Sequence, residues 1–147
     1  MEKKLMIVDD DWSIRIAVKV LFESHGFEVW EADGANQCLE ALRAGFKGVI
    51  AMDIMMPDMN GCAAVREIVS QGFFEDNAIF MLTAVNTPEK EMESIQDYVV
   101  EYVAKPFDPE DLVSVVEKYL RELEIAEALR GKASWTGPIE EMDSPSI

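Results

Sequence analysis

A doubly wound α/β fold, with a parallel sheet covered by helices on both faces, is what this sequence predicts. Three observations carry that reading. Five short apolar runs alternate with five segments of helical period. The runs are apolar throughout rather than at every second residue, as strands buried on both faces require. At 147 residues the chain suits one domain, because two domains would each bury too little core.

The elements follow in order. Residues 5–9 read as a strand, and 13–25 as a helix with Ile14, Val18, Leu21 and Phe22 on one face and Gly26 closing it. Residues 27–32 form the next strand, after which Asp33 is the expected N-cap of a helix ending at Gly45. A third strand spans 48–53, a third helix 61–70 is stopped by Gln71-Gly72, and a fourth strand covers 78–83. Thr87-Pro88 caps and opens a fourth helix, with proline at the first helical position. Residues 99–104 make the fifth strand, and Asp108-Pro109 repeats the cap-plus-proline signal. The last helix is apolar at Leu112, Val115, Val116, Tyr119, Leu120 and Leu123, a stripe suited to a sheet face. Right-handed crossovers then place a ligand crevice at the carboxyl ends of the strands.

Residues 1–125 are expected to form the domain, and 126–147 an extended helix end followed by a flexible acidic tail. The Gly, Ser and Pro content after Gly131, with the lone Trp135, gives the tail its character. Ile125 and Leu129 offer a homodimer contact, although a solvated helix end is the simpler expectation.

Composition narrows the function. Lys+Arg 13 against Asp+Glu 29 gives a net charge of −16. The excess is spread along the chain, −10 over residues 1–107 and −6 over 108–147, so no basic arm exists to hold nucleic acid or an anionic membrane. The apolar run 5–8 ends at three aspartates, too short for a signal-peptide core or a membrane span. Cys38 and Cys62 form no CxxC pair and no metal cluster with His25, the one histidine. Two isolated thiols fit a reducing cytoplasm. His25, at a helix C-terminus, is read as a favourable partner of the helix dipole.

The polar residues of interest collect at strand ends. Asp9-Asp10-Asp11 follows the first strand, Asp53 ends the third, Thr83 the fourth, and Lys105-Pro106 follows the fifth. In a parallel sheet these ends share one rim. Asp11 is placed to cap a helix, but capping does not account for Asp53 at the end of Val49-Ile50-Ala51-Met52. Crowded carboxylates repel, and a hard divalent cation such as Mg²⁺ relieves them. Acid, metal, ammonium and hydroxyl together are the parts that handle a phosphoryl group, with a carboxylate as nucleophile.

The stretches Ile7-Val8-Asp9-Asp10-Asp11, Met52-Asp53-Ile54-Met55-Met56-Pro57-Asp58-Met59-Asn60-Gly61, Met81-Leu82-Thr83-Ala84 and Tyr102-Val103-Ala104-Lys105-Pro106-Phe107 resemble, in order and spacing, the receiver domain of two-component response regulators. The resemblance covers residues 1 to about 125 and implies a flavodoxin-like strand order 2-1-3-4-5. It implies that Asp53 is the phosphoacceptor, that Asp10, Asp53 and the Met55 carbonyl ligate Mg²⁺, and that Asp9 acts through water. Lys105 is then the partner of Asp53 and later of the phosphoryl group. Thr83 swings towards that group and Tyr102 turns inward behind it. Pro106 resembles a cis-proline of the family.

This chain also departs from the pattern. Tyr98-Val99-Val100 stands where receivers often have Gly-Ala-Asp, and Trp12 replaces a frequent proline. Met55 and Val85 supply apolar bulk where water approaches, which predicts slow hydrolysis of the acyl phosphate. The whole reads as a free-standing cytoplasmic signalling phosphoprotein, not an enzyme. Its expected donor is a sensor histidine kinase or a phosphotransfer protein, and its expected output a contact with a protein partner. A haloacid-dehalogenase-type phosphatase is the runner-up, with Asp9-x-Asp11, Thr83 and Lys105 in its roles, but it leaves Asp53 without a task.

Overall fold

A computed structural model describes residues 2–84 and 89–133. The strands β1 (Lys4–Val8), β2 (Glu28–Ala32), β3 (Val49–Asp53), β4 (Ala78–Thr83) and β5 (Glu101–Ala104) form one parallel sheet in the order β2-β1-β3-β4-β5. The helices are α1 (Trp12–Glu23), α2 (Ala35–Arg43), α3 (Gly61–Ser70), α4 (Glu89–Glu93) and α5 (Pro109–Ala133). Single 3₁₀ turns at Phe74–Asp76 and Gln96–Tyr98 precede β4 and β5. The fold class and strand order expected from the sequence are those observed.

Side chains alternate across the sheet, so each strand feeds two cores. Leu5, Ile7, Val49, Ala51, Phe80 and Leu82 meet α1 and α5 through Val18, Phe22, Leu112 and Val116. Met6, Val8, Ile50, Met52, Ile79 and Met81 meet α2 and α3 through Cys38, Leu42, Val65 and Ile68. Both cysteines are buried and unpaired with each other, and burial pushes the Cys38 thiol up to about 12. The central strands β1, β3 and β4 are apolar on both faces, whereas β2 and β5 are edge strands with half-exposed residues. No helix of the described residues is long and apolar enough to cross a membrane.

Local signals explain most boundaries. Asp11 caps α1 by accepting from the Ser13 backbone N–H at 2.9 Å, and Gly26, at φ +82°, turns the chain into β2. Asp108 caps α5 by accepting from Glu110 N at 2.8 Å, with Pro109 as the first helical residue. Asp33 does not cap α2. The first N–H groups of that helix, on Ala35 and Asn36, donate to the carboxylate of Asp58 at 3.3 and 3.2 Å, while the Asp33 N–H donates to Gln37 Oε1. A carboxylate from the β3–α3 loop therefore does what a local cap was expected to do.

Two further differences matter. β5 begins at Glu101 rather than residue 99, because Val99 and Val100 lead out of the 3₁₀ turn. The Thr87-Pro88 cap and Val85 lie outside the described residues, as does the stretch 134–147 with Trp135. α5 stays helical through Ala133, beyond the expected start of the tail. Arg130 pairs with Asp76 at 3.5 Å and ties this extension to the 3₁₀ turn, leaving Ile125 and Leu129 exposed.

Candidate functional site

The parallel register carries the carboxyl ends of β1, β3, β4 and β5 to one rim. Asp9 follows β1 and is fully buried, fixed by its own N–H donating to Ala32 O at 3.1 Å and by Arg15 donating to its carbonyl at 2.8 Å. Both its carboxylate oxygens are engaged: Oδ1 accepts from Asp11 N at 2.9 Å, and Oδ2 from Lys105 Nζ at 2.8 Å. Asp10 beside it is exposed. Asp53, the buried last residue of β3, faces Lys105 Nζ across 3.2 Å and accepts from Met55 N at 3.4 Å. Carboxylate oxygens of Asp9, Asp10 and Asp53 all lie within 4.8 Å of one another.

The backbone under Asp53 is held closely. Gly61 opens α3, its N–H donating to Ile54 O at 2.8 Å, and a Cβ there would stand 2.3 Å from the Asp53 carbonyl oxygen. Only glycine permits that approach. The N-cap of α3 is Asn60, whose Oδ1 accepts from Ala63 N at 2.9 Å and whose Nδ2 donates to Glu91 of α4 at 3.1 Å.

Lys105 is placed by its N–H donating to Thr83 O at 2.8 Å, and its peptide to Pro106 is cis. The Thr83 hydroxyl is half-buried and donates to Val103 O at 3.5 Å, the long limit of a hydrogen bond. Tyr102 points outward: it is 38% exposed, and its hydroxyl donates to Met92 O at 3.2 Å. Met55 is 59% exposed beside the rim.

Electrostatics follow from this packing. Burial raises the Asp53 carboxyl above its usual range and the charge of Asp9 raises it further, while Lys105 draws it partly back. Burial pulls the Lys105 ammonium down, but the Asp9 hydrogen bond and the charges of Asp53 and Asp9 outweigh it, so its value is raised. Three carboxylates around one ammonium leave an excess of negative charge on hard oxygen donors. That donor set fits a divalent cation of the Mg²⁺ type.

The strand-end residues singled out from the sequence fall at the carboxyl ends of the strands, whereas Val85 lies outside the described residues. Asp9, Asp10, Asp53 and Lys105 converge; Thr83 and Tyr102 stand one step away, with hydroxyls turned to backbone carbonyls. Arg15, Asn60 and Glu91 border the site without having been expected there. Arg15 grips a carbonyl, which carries no side-chain signature, and Asn60–Glu91 links residues 31 apart.

Comparison with known proteins agrees with this geometry. The family model of the response regulator receiver domain matches residues 5–117. The solved CheY-like receiver domain protein from Methanospirillum hungatei JF-1 is 43% identical, with a TM-score of 0.79 over 82% of this chain and 96% of that one. Chemotaxis protein CheY4 of Vibrio cholerae is 27% identical, with a TM-score of 0.72 over 80% of this chain and 98% of its own. Among curated relatives, the phosphate regulon transcriptional regulatory protein PhoB of Escherichia coli (strain K12) is 25% identical over 123 residues, 84% of this chain and 54% of PhoB. The transcriptional regulatory protein SrrA of Staphylococcus aureus is 29% identical over 121 residues, 82% of this chain and 49% of SrrA. This chain thus spans about half the length of the curated relatives it matches. Because the family match runs from β1 into α5 and takes in the whole aspartate–lysine rim, the chain belongs to the response regulator receiver domains of two-component signalling.

Proposed function

We propose that this chain accepts a phosphoryl group on Asp53 from a phosphohistidine of a sensor histidine kinase or phosphotransfer protein, and passes the signal on by protein contact. One observation carries the reading: a buried strand-end carboxylate faces an ammonium at 3.2 Å inside a carboxylate cluster. An Asp53 oxygen attacks phosphorus and forms an acyl phosphate as the phosphorus–nitrogen bond breaks. The imidazole leaves with the bonding pair and a proton from water completes it. Lys105 then exchanges Asp53 for a phosphoryl oxygen while keeping Asp9 as its anchor.

Asp10, Asp53 and the Met55 carbonyl would hold Mg²⁺, with Asp9 acting through water, and the bound ion would supply positive charge for phosphoryl oxygens at this rim. Asp9 suits the indirect role, since both its oxygens already accept from protein donors. The Thr83 hydroxyl has little to give up in turning towards the new charge, its present bond being 3.5 Å long. Tyr102 can then follow into the space behind it. Trp12, Ile16 and Val20, exposed at four-residue intervals on α1, give a docking protein apolar surface beside the rim. The acid excess of the chain argues against a nucleic-acid interface on these residues.

Labelling with acetyl phosphate and Mg²⁺, followed by peptide mapping, tests the reading. Label is expected to accumulate on Asp53 and to vanish in Asp53→Asn. Steady turnover with label on Asp9 would instead indicate a phosphatase and overturn it.

A further inference from the structure

The opposite rim of the sheet carries a feature that phosphotransfer does not use. At the amino ends of β4 and β5, Phe74, Tyr98 and Tyr119 line a cleft of about 180 Å³ with Asp97 and Glu122 on its walls. The volume is below the roughly 300–1,000 Å³ of a small-molecule pocket and matches a single side-chain head group. Phe74 and Tyr98 pack edge to face at 5.2 Å, which holds both rings in place. Tyr119 is fixed by its hydroxyl, which donates to Glu101 Oε1 at 2.7 Å and lies 3.2 Å from Val100 O. The Asp97 and Glu122 side chains are exposed, and among the described residues neither carboxylate is paired with a cation.

We propose that this cleft is a docking notch for an arginine side chain presented by a protein partner. Aromatic faces attract a cation, and flanking carboxylates give it charge-assisted hydrogen bonds. Guanidinium fits better than ammonium, because it is planar, weakly hydrated and able to stack while bonding a carboxylate bidentately. Lys118, outside the cleft wall, already places Nζ 5.0 Å from the Tyr119 ring centre, so this ring accepts a cation. The net charge of −16 steers a basic partner towards the chain. β4 separates the notch from the phosphoacceptor rim by roughly 15–20 Å, leaving Asp53 accessible while the notch is filled.

The test is a titration of ¹⁵N-labelled protein with acetyl-Gly-Ser-Arg-Ser-Gly-amide, alongside the lysine and citrulline versions of that peptide and spermidine. Saturable shifts at Asp97, Tyr98, Val99 and Glu122 are expected with the arginine peptide, with weaker binding of lysine and none of citrulline. An Asp97→Asn/Glu122→Gln double variant is expected to bind about tenfold more weakly, while Asp53 labelling by acetyl phosphate stays unchanged. No saturable shift, equal binding of citrulline, tighter binding of spermidine, or shifts that persist undiminished in the double variant would each overturn the proposal. Loss of labelling with intact arginine binding would overturn the phosphoacceptor reading and leave this one standing.

Discussion

Lys105 Nζ lies closer to Asp9, at 2.8 Å, than to Asp53, at 3.2 Å, although Asp9 is 96 residues away in sequence. The ammonium is thus the partner of a fully buried carboxylate as well as of Asp53. Asp9 is fully buried, so Lys105 stabilises the fold as well as the site.

Removing each charge should therefore move stability in opposite directions. Lys105→Met leaves Asp9 and Asp53 facing each other in a buried site and is expected to cost about 2–3 kcal/mol, below the fully buried case because the lysine is partly exposed. Asp53→Asn removes a carboxylate that burial and Asp9 both disfavour, and it should raise the melting temperature without divalent ions. Urea melts of the two variants in EDTA decide the signs.

Thr83 and Tyr102 should report the arrival of charge together. Beryllofluoride with Mg²⁺ is expected to shift the NMR signals of Asp53, Thr83 and Tyr102. Thr83→Ala should keep acetyl phosphate labelling of Asp53 while losing most of the Tyr102 response. An unchanged Tyr102 response in that variant would show that the hydroxyl is not the link.

Met55 stands beside Asp10 at the rim with an apolar side chain that is 59% exposed. Replacing it by asparagine gives an attacking water a hydrogen-bonding partner. Met55→Asn is expected to shorten the acyl-phosphate half-life several-fold, of the order contributed by one positioned polar group. Decay of label after removal of the donor measures it, and an unchanged lifetime excludes this role for Met55.

Tyr119 gives the alkaline limb of stability. Burial, the Glu101 hydrogen bond and the charges of Glu101 and Glu122 push its phenol from 10.0 up to about 12. The native state thus holds the proton more tightly than the unfolded state. Its contribution is complete below about pH 10 and is lost as pH rises towards 12. Tyr119→Phe should flatten the fall in melting temperature over that window, and phenolate absorbance should lose its last-titrating component.

Much of this was legible in the sequence where the signal is local. Asp11 and Asp108 cap the helices they precede, and the strand-end aspartates fall at one rim because parallel strands all point the same way. What stayed hidden depends on partners distant in the chain. Asp33 was the obvious cap for α2, yet Asp58 reaches those N–H groups from a loop that folding brings alongside. Arg15 binds a backbone carbonyl, and no residue type announces that. The shortened β5 follows from the 3₁₀ turn at Gln96–Tyr98, which apolar Val99 and Val100 masked as strand.

The contact between Gly61 and the Asp53 carbonyl has a mechanical meaning. A strand end backed so closely by a helix start is expected to have little room to recoil if its side chain gains charge. On the proposed reading Asp53 serves as an anvil, and displacement is expected to pass to what is loosely tethered around it: one long hydroxyl bond at Thr83 and one outward-facing ring at Tyr102.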